Sequence, residues 1–530
     1  MAKRTGCGKT DGLGALEKSK PLRDGARVTV PLPSVDPISN MRTRHSGVRS
    51  SSVVALGLMI ELGSQFARTM LLARALGAAE FGLVTSINTL VALVEMFSFL
   101  GVDRYLVYSQ EGDAPHELAI AHGLSWSRGL LGAALILSLA WPTAVALGVR
   151  DQTHAFMIVA IAPLLRGAAH LGVVQMQRVG RFWPSTLTDA GGALLGFAAA
   201  AAAVMVARDH RAILWALTAQ AAGILILSHL LARAGPYRLS FDRNRNREAL
   251  RYGLPLLVNG LALGVAFQLD RIIVGSWLGV TALGAYGLSV TLLFQPVTLL
   301  GRLATTTLQP RISAAWHNDR SEAFPRFVSQ LAGWAALLSA AGAMGTVCLG
   351  APVLRFLFGP SFSLSDAFFV LMGFVLLVRI NRHVVNLLGL AIGRTTDLMI
   401  SNIVGASALP AMIAAFLVYL GPASASFGAL FGDLSAFAVA DARLRRASSS
   451  AGKAIGRGMA VAAILPALFG VWILLVNPPL WVRTAGLAAG LGALSLVLLV
   501  RRAAGSTVNI CHFLTRASNR SESNPDSISQ

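Results

Sequence analysis

Val53-Val-Ala-Leu-Gly-Leu-Met-Ile-Glu-Leu-Gly-Ser-Gln-Phe-Ala-Arg-Thr-Met-Leu-Leu-Ala73 is apolar with a few strongly polar exceptions. As a helix rising 1.5 Å per residue, such a run covers about 30 Å, the hydrocarbon thickness of a bilayer. The exceptions Glu61, Gln65 and Arg68 stand at i, i+4 and i+7, which is one helical face. Lipid cannot accept that face, so it must turn toward other helices or a wet cavity.

The same pattern recurs along the chain. Apolar runs of about 20–28 residues, each enough to cross the bilayer, fall near 52–74, 82–108, 118–147, 154–177, 184–207, 212–232, 252–277, 284–309, 327–349, 366–392, 397–420, 424–442, 456–476 and 480–500. This predicts an all-α polytopic membrane protein of about 14 transmembrane helices. The composition agrees: 54% of the 530 residues are hydrophobic and only 13% are charged, against about 25% in a soluble domain. The mean hydropathy is +0.62. These values exclude a disordered chain and a disulfide scaffold. The net charge of +20 would suggest nucleic acid in a soluble protein. Here the basic residues cluster between apolar runs and read as a topology signal, with no nucleic-acid partner.

With fourteen spans both termini share one side. If that side is the cytoplasm, its segments hold roughly thirty Lys and Arg against about six opposite. Two basic loops dominate, Arg233–Arg251 and Arg443 through Arg457, while the short loop Gln110–Glu117 is acidic. Residues 1–50 are polar, carry ten Lys or Arg, and read as a disordered basic cytoplasmic tail. Met41, followed by Arg42 and Arg44, is a candidate start. Gly8-Lys9-Thr10 lacks the earlier glycine and the strand of a phosphate loop. Cys7, Cys348 and Cys511 are far apart and make no metal or redox motif. No loop exceeds about twenty residues, so whatever the chain does happens within the bilayer, and no nucleophile–base motif marks an enzyme.

Leu76-Gly-Ala-Ala-Glu-Phe-Gly82 and Leu278-Gly-Val-Thr-Ala-Leu-Gly284 share the pattern LGxxxxG at an offset of 202 residues. Arg68 lies opposite Asp270 at the same offset. A repeat of six spans relates two halves by an axis along the membrane normal.

Further charges occupy the spans: Arg128 in the third, Arg166 and His170 in the fourth, Gln295 and Arg302 in the eighth, and Arg379, Arg382, His383 and Asn386 on one face of the tenth. Each charge at mid-membrane costs about 2.5–3.5 kcal/mol and needs a reason. One reading pairs each arginine with an acid such as Glu95, Asp103, Asp189 or Asp433 to hold the bundle together. The other makes Arg68, Arg128, Arg166, Arg302, Arg379 and Arg382 a substrate-binding set, because guanidinium presents a planar fork that fits phosphate oxygens. Glu61 and Asp270, deep in their spans, are candidate proton or sodium sites that couple an ion to transport. Asp270 also has a pairing alternative in Arg271. Neither histidine stands in a cluster suited to metal, and no metal or cofactor is expected.

Ala73-Arg-Ala-Leu-Gly-Ala-Ala-Glu-Phe-Gly82 with Leu100-Gly-Val-Asp-Arg-Tyr105, and Tyr252-Gly-Leu-Pro-Leu256 leading to Gln268-Leu-Asp-Arg-Ile-Ile-Val274 and Leu283-Gly-Ala-Tyr-Gly287, resemble bacterial polysaccharide flippases. These are the Wzx-type oligosaccharide-lipid exporters of the multidrug/oligosaccharidyl-lipid/polysaccharide superfamily, and the resemblance covers about residues 52–500. It implies two six-helix lobes, 51–233 and 252–442, around a central cavity, with two extra helices within 443–502; the chain itself reads as a basic cytoplasmic linker at 234–251 and a disordered cytoplasmic tail at 503–530. It also implies that a polyprenyl-pyrophosphate-linked oligosaccharide moves from the cytoplasmic to the periplasmic leaflet of the inner membrane by alternating access. That would serve O-antigen, capsule or exopolysaccharide synthesis, with membrane lipid and polysaccharide polymerase machinery as partners. A MATE-type small-molecule or cation antiporter, or a peptidoglycan-precursor flippase, is the alternative.

Overall fold

The computed structural model describes residues 44–97, 101–108, 112–232, 235–318, 323–418 and 421–503. The chain divides into Met1–His45 and Ser46–Gln530, and the helical bundle belongs to the second unit. Most of the expected tails, 1–43 and 504–530, lie outside the described residues. Among the described residues all regular structure is helical. Two boundaries differ from expectation. Helix already begins at Arg44, inside the expected tail, and at Arg243, inside the expected linker 234–251.

The first helix, α1 (Arg44–Phe97), is 54 residues long, about 80 Å if straight. It is two helices joined at Gly77, whose φ of 77° and ψ of 173° are not helical. A side chain rarely adopts that positive φ, which is why glycine stands there. The short α2 (Val102–Tyr108) and the long α3 (Pro115–Ala146) follow. The expected single span 154–177 is broken into α4 (Thr153–Ile158), α5 (Ile161–Gly167) and α6 (Gly172–Gln175), bent by 48°. Two causes are visible. Pro163 has no N–H to give the carbonyl four residues back. At the bend, side chains capture the backbone donors: Leu171 N–H goes to His122 Nε2 (3.1 Å), Gly172 N–H to His170 Nδ1 (3.0 Å), and His170 N–H to Ser228 Oγ (2.9 Å).

The first half closes with α7 (Trp183–Val206) and α8 (Arg211–Leu231). They approach closely through Gly192, Gly196 and Gly223: a Cβ on Gly223 would lie 3.2 Å from the Cα of Gly192. The Gly192-Ala-Leu-Leu-Gly196 pattern works here as a small-residue helix contact.

Residues 235–242 run without helix to α9 (Arg243–Asn318), 76 residues broken at Gly279 (φ 84°, ψ 166°). This strap lies on the first half. Ser240 N–H donates to the Ala119 carbonyl (3.0 Å), and a Cβ on Gly123 would overlap the Ser240 carbonyl oxygen. The ring of Tyr237 sits 4.4 Å from that of His122 and 5.1 Å from that of His229. His122 is fully buried. Its Nε2 accepts a backbone N–H, so its Nδ1 donates to the Arg238 carbonyl at 3.1 Å.

The second half continues with α10 (Ala323–Phe358), α11 (Asp366–Ala391), α12 (Thr395–Gly405), α13 (Ala408–Leu417) and α14 (Ala423–Ala447). The break between α12 and α13 follows from Pro410, which leaves the Ala406 carbonyl without its usual donor and to Leu409 N–H at 3.2 Å. Then come α15 (Ser449–Val476) and α16 (Leu480–Ala503). Arg483 ties the last helix to the start of α11 through two 2.9 Å bonds to Asp366.

Ten helices among the described residues are long and apolar enough to cross a membrane, eleven if the bent stretch Arg150–Val179 is one span. Fourteen is reached only by dividing α1 at Gly77 and α9 at Gly279 and adding α16. One apolar core draws on both halves: Phe81, Ile87 and Leu90 of α1 belong with Leu283, Tyr286 and Leu288 of α9 and Phe362 and Phe368 beyond. That core occupies the end of the bundle carrying the two glycine turns. A cavity occupies the other.

Candidate functional site

The cavity holds about 980 Å³, far more than a water-filled packing defect. The first half supplies most of its wall. From α1 come Glu61, Gln65, Arg68, Asn88 and Glu95, then Asp103 of α2, Arg128 of α3, Arg166 of α5, Asp189 of α7 and Gln220 of α8. The second half contributes Arg271, Thr291, Gln295 and Arg302, all on α9. The i, i+4, i+7 face of α1 therefore turns toward the cavity.

The cations differ in how they are held. Arg68 is buried, and its Nη1 donates to Gln220 Oε1 at 2.7 Å. Gly196 makes room for it, since a Cβ there would stand 3.2 Å from that nitrogen. Arg166 pairs with Glu95. Arg128 and Arg302 have no hydrogen-bond or carboxylate partner among the described residues. Arg271 donates from Nη1 to Gln268 Oε1 at 3.2 Å, while its buried Nε has no partner among the described residues. The two walls are thus unlike. Among the described residues, the first half mixes four carboxylates with three guanidiniums. The second offers guanidiniums and neutral amide or hydroxyl groups alone.

Five of the candidate residues line this cavity: Glu61, Arg68, Arg128, Arg166 and Arg302. Three do not. Asp270 lies behind the wall, accepting from the Tyr286 hydroxyl and, at 2.8 Å, from Arg271 N–H. Arg379 and Arg382 converge on Asp433 of α14 at 2.8 and 3.2 Å, and Arg379 stacks 4.1 Å over Phe294. For these two the geometry is that of pairing with an acid on a neighbouring helix. Spacing alone does not bring out Arg271 as a binding group. It stands in the Leu-Asp-Arg motif, where it reads first as a partner for Asp270. No group of three or more His, Cys, Asp or Glu among the described residues is arranged to hold a metal ion.

The chain is similar to several known transport proteins. A succinoglycan biosynthesis transport protein, ExoT, of Rhizobium meliloti (strain 1021) is 27% identical over 239 residues, 42% of this chain. The chain spans 45%, about half, of the length of that curated relative. The solved lipid II flippase MurJ in an inward closed conformation superposes with a TM-score of 0.63 over 85% of this chain and 98% of its own, at 11% identity. An inward-facing multidrug resistance MATE family transporter of the MOP superfamily gives 0.54 over 76% of this chain and 99% of its own, at 13% identity. At such identities the likeness is one of fold, and the fold is that of these transporters. The polysaccharide biosynthesis protein family matches residues 71–365, more than half the chain, and this multi-pass membrane protein belongs to that family.

Proposed function

We propose that the protein flips a polyprenyl-pyrophosphate-linked oligosaccharide from the cytoplasmic to the periplasmic leaflet of the bacterial inner membrane by alternating access. The observation that carries this reading is the trio of cavity guanidiniums that enter no salt bridge among the described residues, Arg128, Arg271 and Arg302. A pyrophosphate entering the cavity leaves water, and fixed guanidiniums replace its hydration with charge-assisted bonds. Arg68 and Arg166, already bonded to Gln220 and Glu95, extend the positive wall. Arg379 and Arg382 act on the substrate only through the helices they hold. The polyprenyl tail stays in lipid while the lobes rock around the headgroup. Moving the anion outward runs with an inside-negative potential, worth about 2.3 kcal/mol per charge per 100 mV.

Glu61, on the wall, is assigned to a coupling proton or sodium ion, and Asp270, behind Arg271, to the second such site. Both termini lie on the cytoplasmic side, as the distribution of basic residues favours. The family match and the succinoglycan transport relative support an exopolysaccharide substrate, handed on to polymerase machinery. The test is a proteoliposome assay with a fluorescent lipid-linked oligosaccharide. The triple variant Arg128→Gln, Arg271→Gln, Arg302→Gln is expected to lose at least about tenfold in flipping rate, roughly one charge-assisted contact's worth. Undiminished flipping would refute the phosphate-binding role of the cavity. Lipid II in a parallel arm distinguishes the two lipid-linked substrates.

A further inference from the structure

The two LGxxxxG turns meet in space. A Cβ on Gly82 would overlap the carbonyl oxygen of Val280, and one on Gly284 would overlap the carbonyl oxygen of Ala78 and stand 3.2 Å from the Cα of Gly82. Ala78 and Val280 are themselves 202 residues apart, so each turn offers the other the same glycine and the same carbonyl. That is an isologous contact, as at a two-fold interface. One turn further, Gly287 faces Thr85, its own counterpart in the repeat: a Cβ at 287 would lie 2.5 Å from Thr85 Cγ2 and 3.4 Å from Thr85 Cβ. The pseudo-two-fold axis passes between these pairs, and at Gly82 and Gly284 the halves touch backbone to backbone.

The position of this contact is as telling as its form. The cavity wall on α1 ends at Thr69 on one arm of the kinked helix and begins at Asn88 on the other, about 9–14 Å along the helix from the contact at Ala78 and Gly82. Towards the opposite end the cavity reaches Val107, Gln177 and Ser185, near helix termini. The cavity is closed on the turn side by the glycine contact and the apolar core around it.

We infer that the Gly82–Gly284 contact is the gate that parts when the cavity opens on the turn side, and that glycine is required there because closure brings main chain against main chain. This rests on the transport reading. A bare backbone contact closes tightly yet leaves no side chains to disentangle on opening. Any side chain at 82 or 284 wedges the halves apart. The alternative is a pivot that never separates.

Two experiments decide between them. The Thr85→Cys, Gly287→Cys pair, in a chain carrying Cys7→Ser, Cys348→Ala and Cys511→Ser, sets two Cβ atoms 3.4 Å apart, at the short edge of disulfide geometry. Oxidation is expected to reduce flipping in proteoliposomes at least tenfold, and reduction to restore it. Full flipping by the oxidised form would overturn the gate. If the reduced form and its parent both fail to flip, the transport reading falls instead. The second measurement needs no substrate. Asn88→Cys, on the cavity wall, is labelled by a membrane-impermeant maleimide from the turn side, in the same cysteine-free chain. Adding Gly82→Leu or Gly284→Ala is expected to raise the labelling rate several-fold. Gly63→Leu, a helical position with open space around it, is expected to leave it unchanged. Equal rates in all four proteins would overturn the gate.

Discussion

Asp433 joins two arginines of a neighbouring helix in the second half. It is buried, and its carboxylate meets the guanidiniums of both Arg379 and Arg382. Removing the carboxylate takes that partner from both cations, which in buried pairs costs about 3–5 kcal/mol. Asp433→Asn is therefore expected to lower the melting temperature in detergent by several degrees. Replacing Arg382 with Met in the same chain should recover part of the loss. A melting temperature unchanged by Asp433→Asn would show that the cluster is solvated. The i, i+3, i+4 spacing of Arg379, Arg382 and His383 is plain in the sequence. What it faces is not, because one helix face meets either a cavity or a neighbour, and only the position of α14 decides which.

Individual elements are legible where a pattern repeats. The LGxxxxG turns, the one-sided face Glu61, Gln65, Arg68 and the Gly192–Gly196 contact all emerge from spacing. The break in the fourth span emerges only in part. Pro163 is in view, but the second cause is long-range: His122 of α3 and Ser228 of α8 take backbone donors that an unbroken helix would keep. Such side chains look unremarkable in their own helices. The strength of close packing can be measured at Gly196, where a Cβ would stand 2.9 Å from both the Ala216 carbonyl oxygen and Gln220 Cβ. Gly196→Leu is expected to destabilise by about 1–3 kcal/mol and to push Arg68 off Gln220. A thermal melt and a flipping assay on the same sample check both effects. A neutral melt would mean that α7 and α8 slide apart without cost.

At the level of the molecule, the 202-residue offset carries the two-fold plan. The difference between the two cavity walls is hidden in the sequence, because both halves contain arginines in comparable number. It emerges only once pairing is known.

The strap at 235–242 governs where the protein can be divided. By sequence it joins the halves, but His122, Gly123 and Ala119 rivet it to the first. Severing the gene after Asp242 leaves the rivet within one polypeptide. Severing it before Gly235 turns the same residues into a latch between two polypeptides. Co-expressed fragments 1–234 and 235–530 should thus co-purify in a manner weakened by His122→Ala, whereas 1–242 and 243–530 should be indifferent to it. Equal sensitivity in both pairs would mean that the strap belongs to neither half.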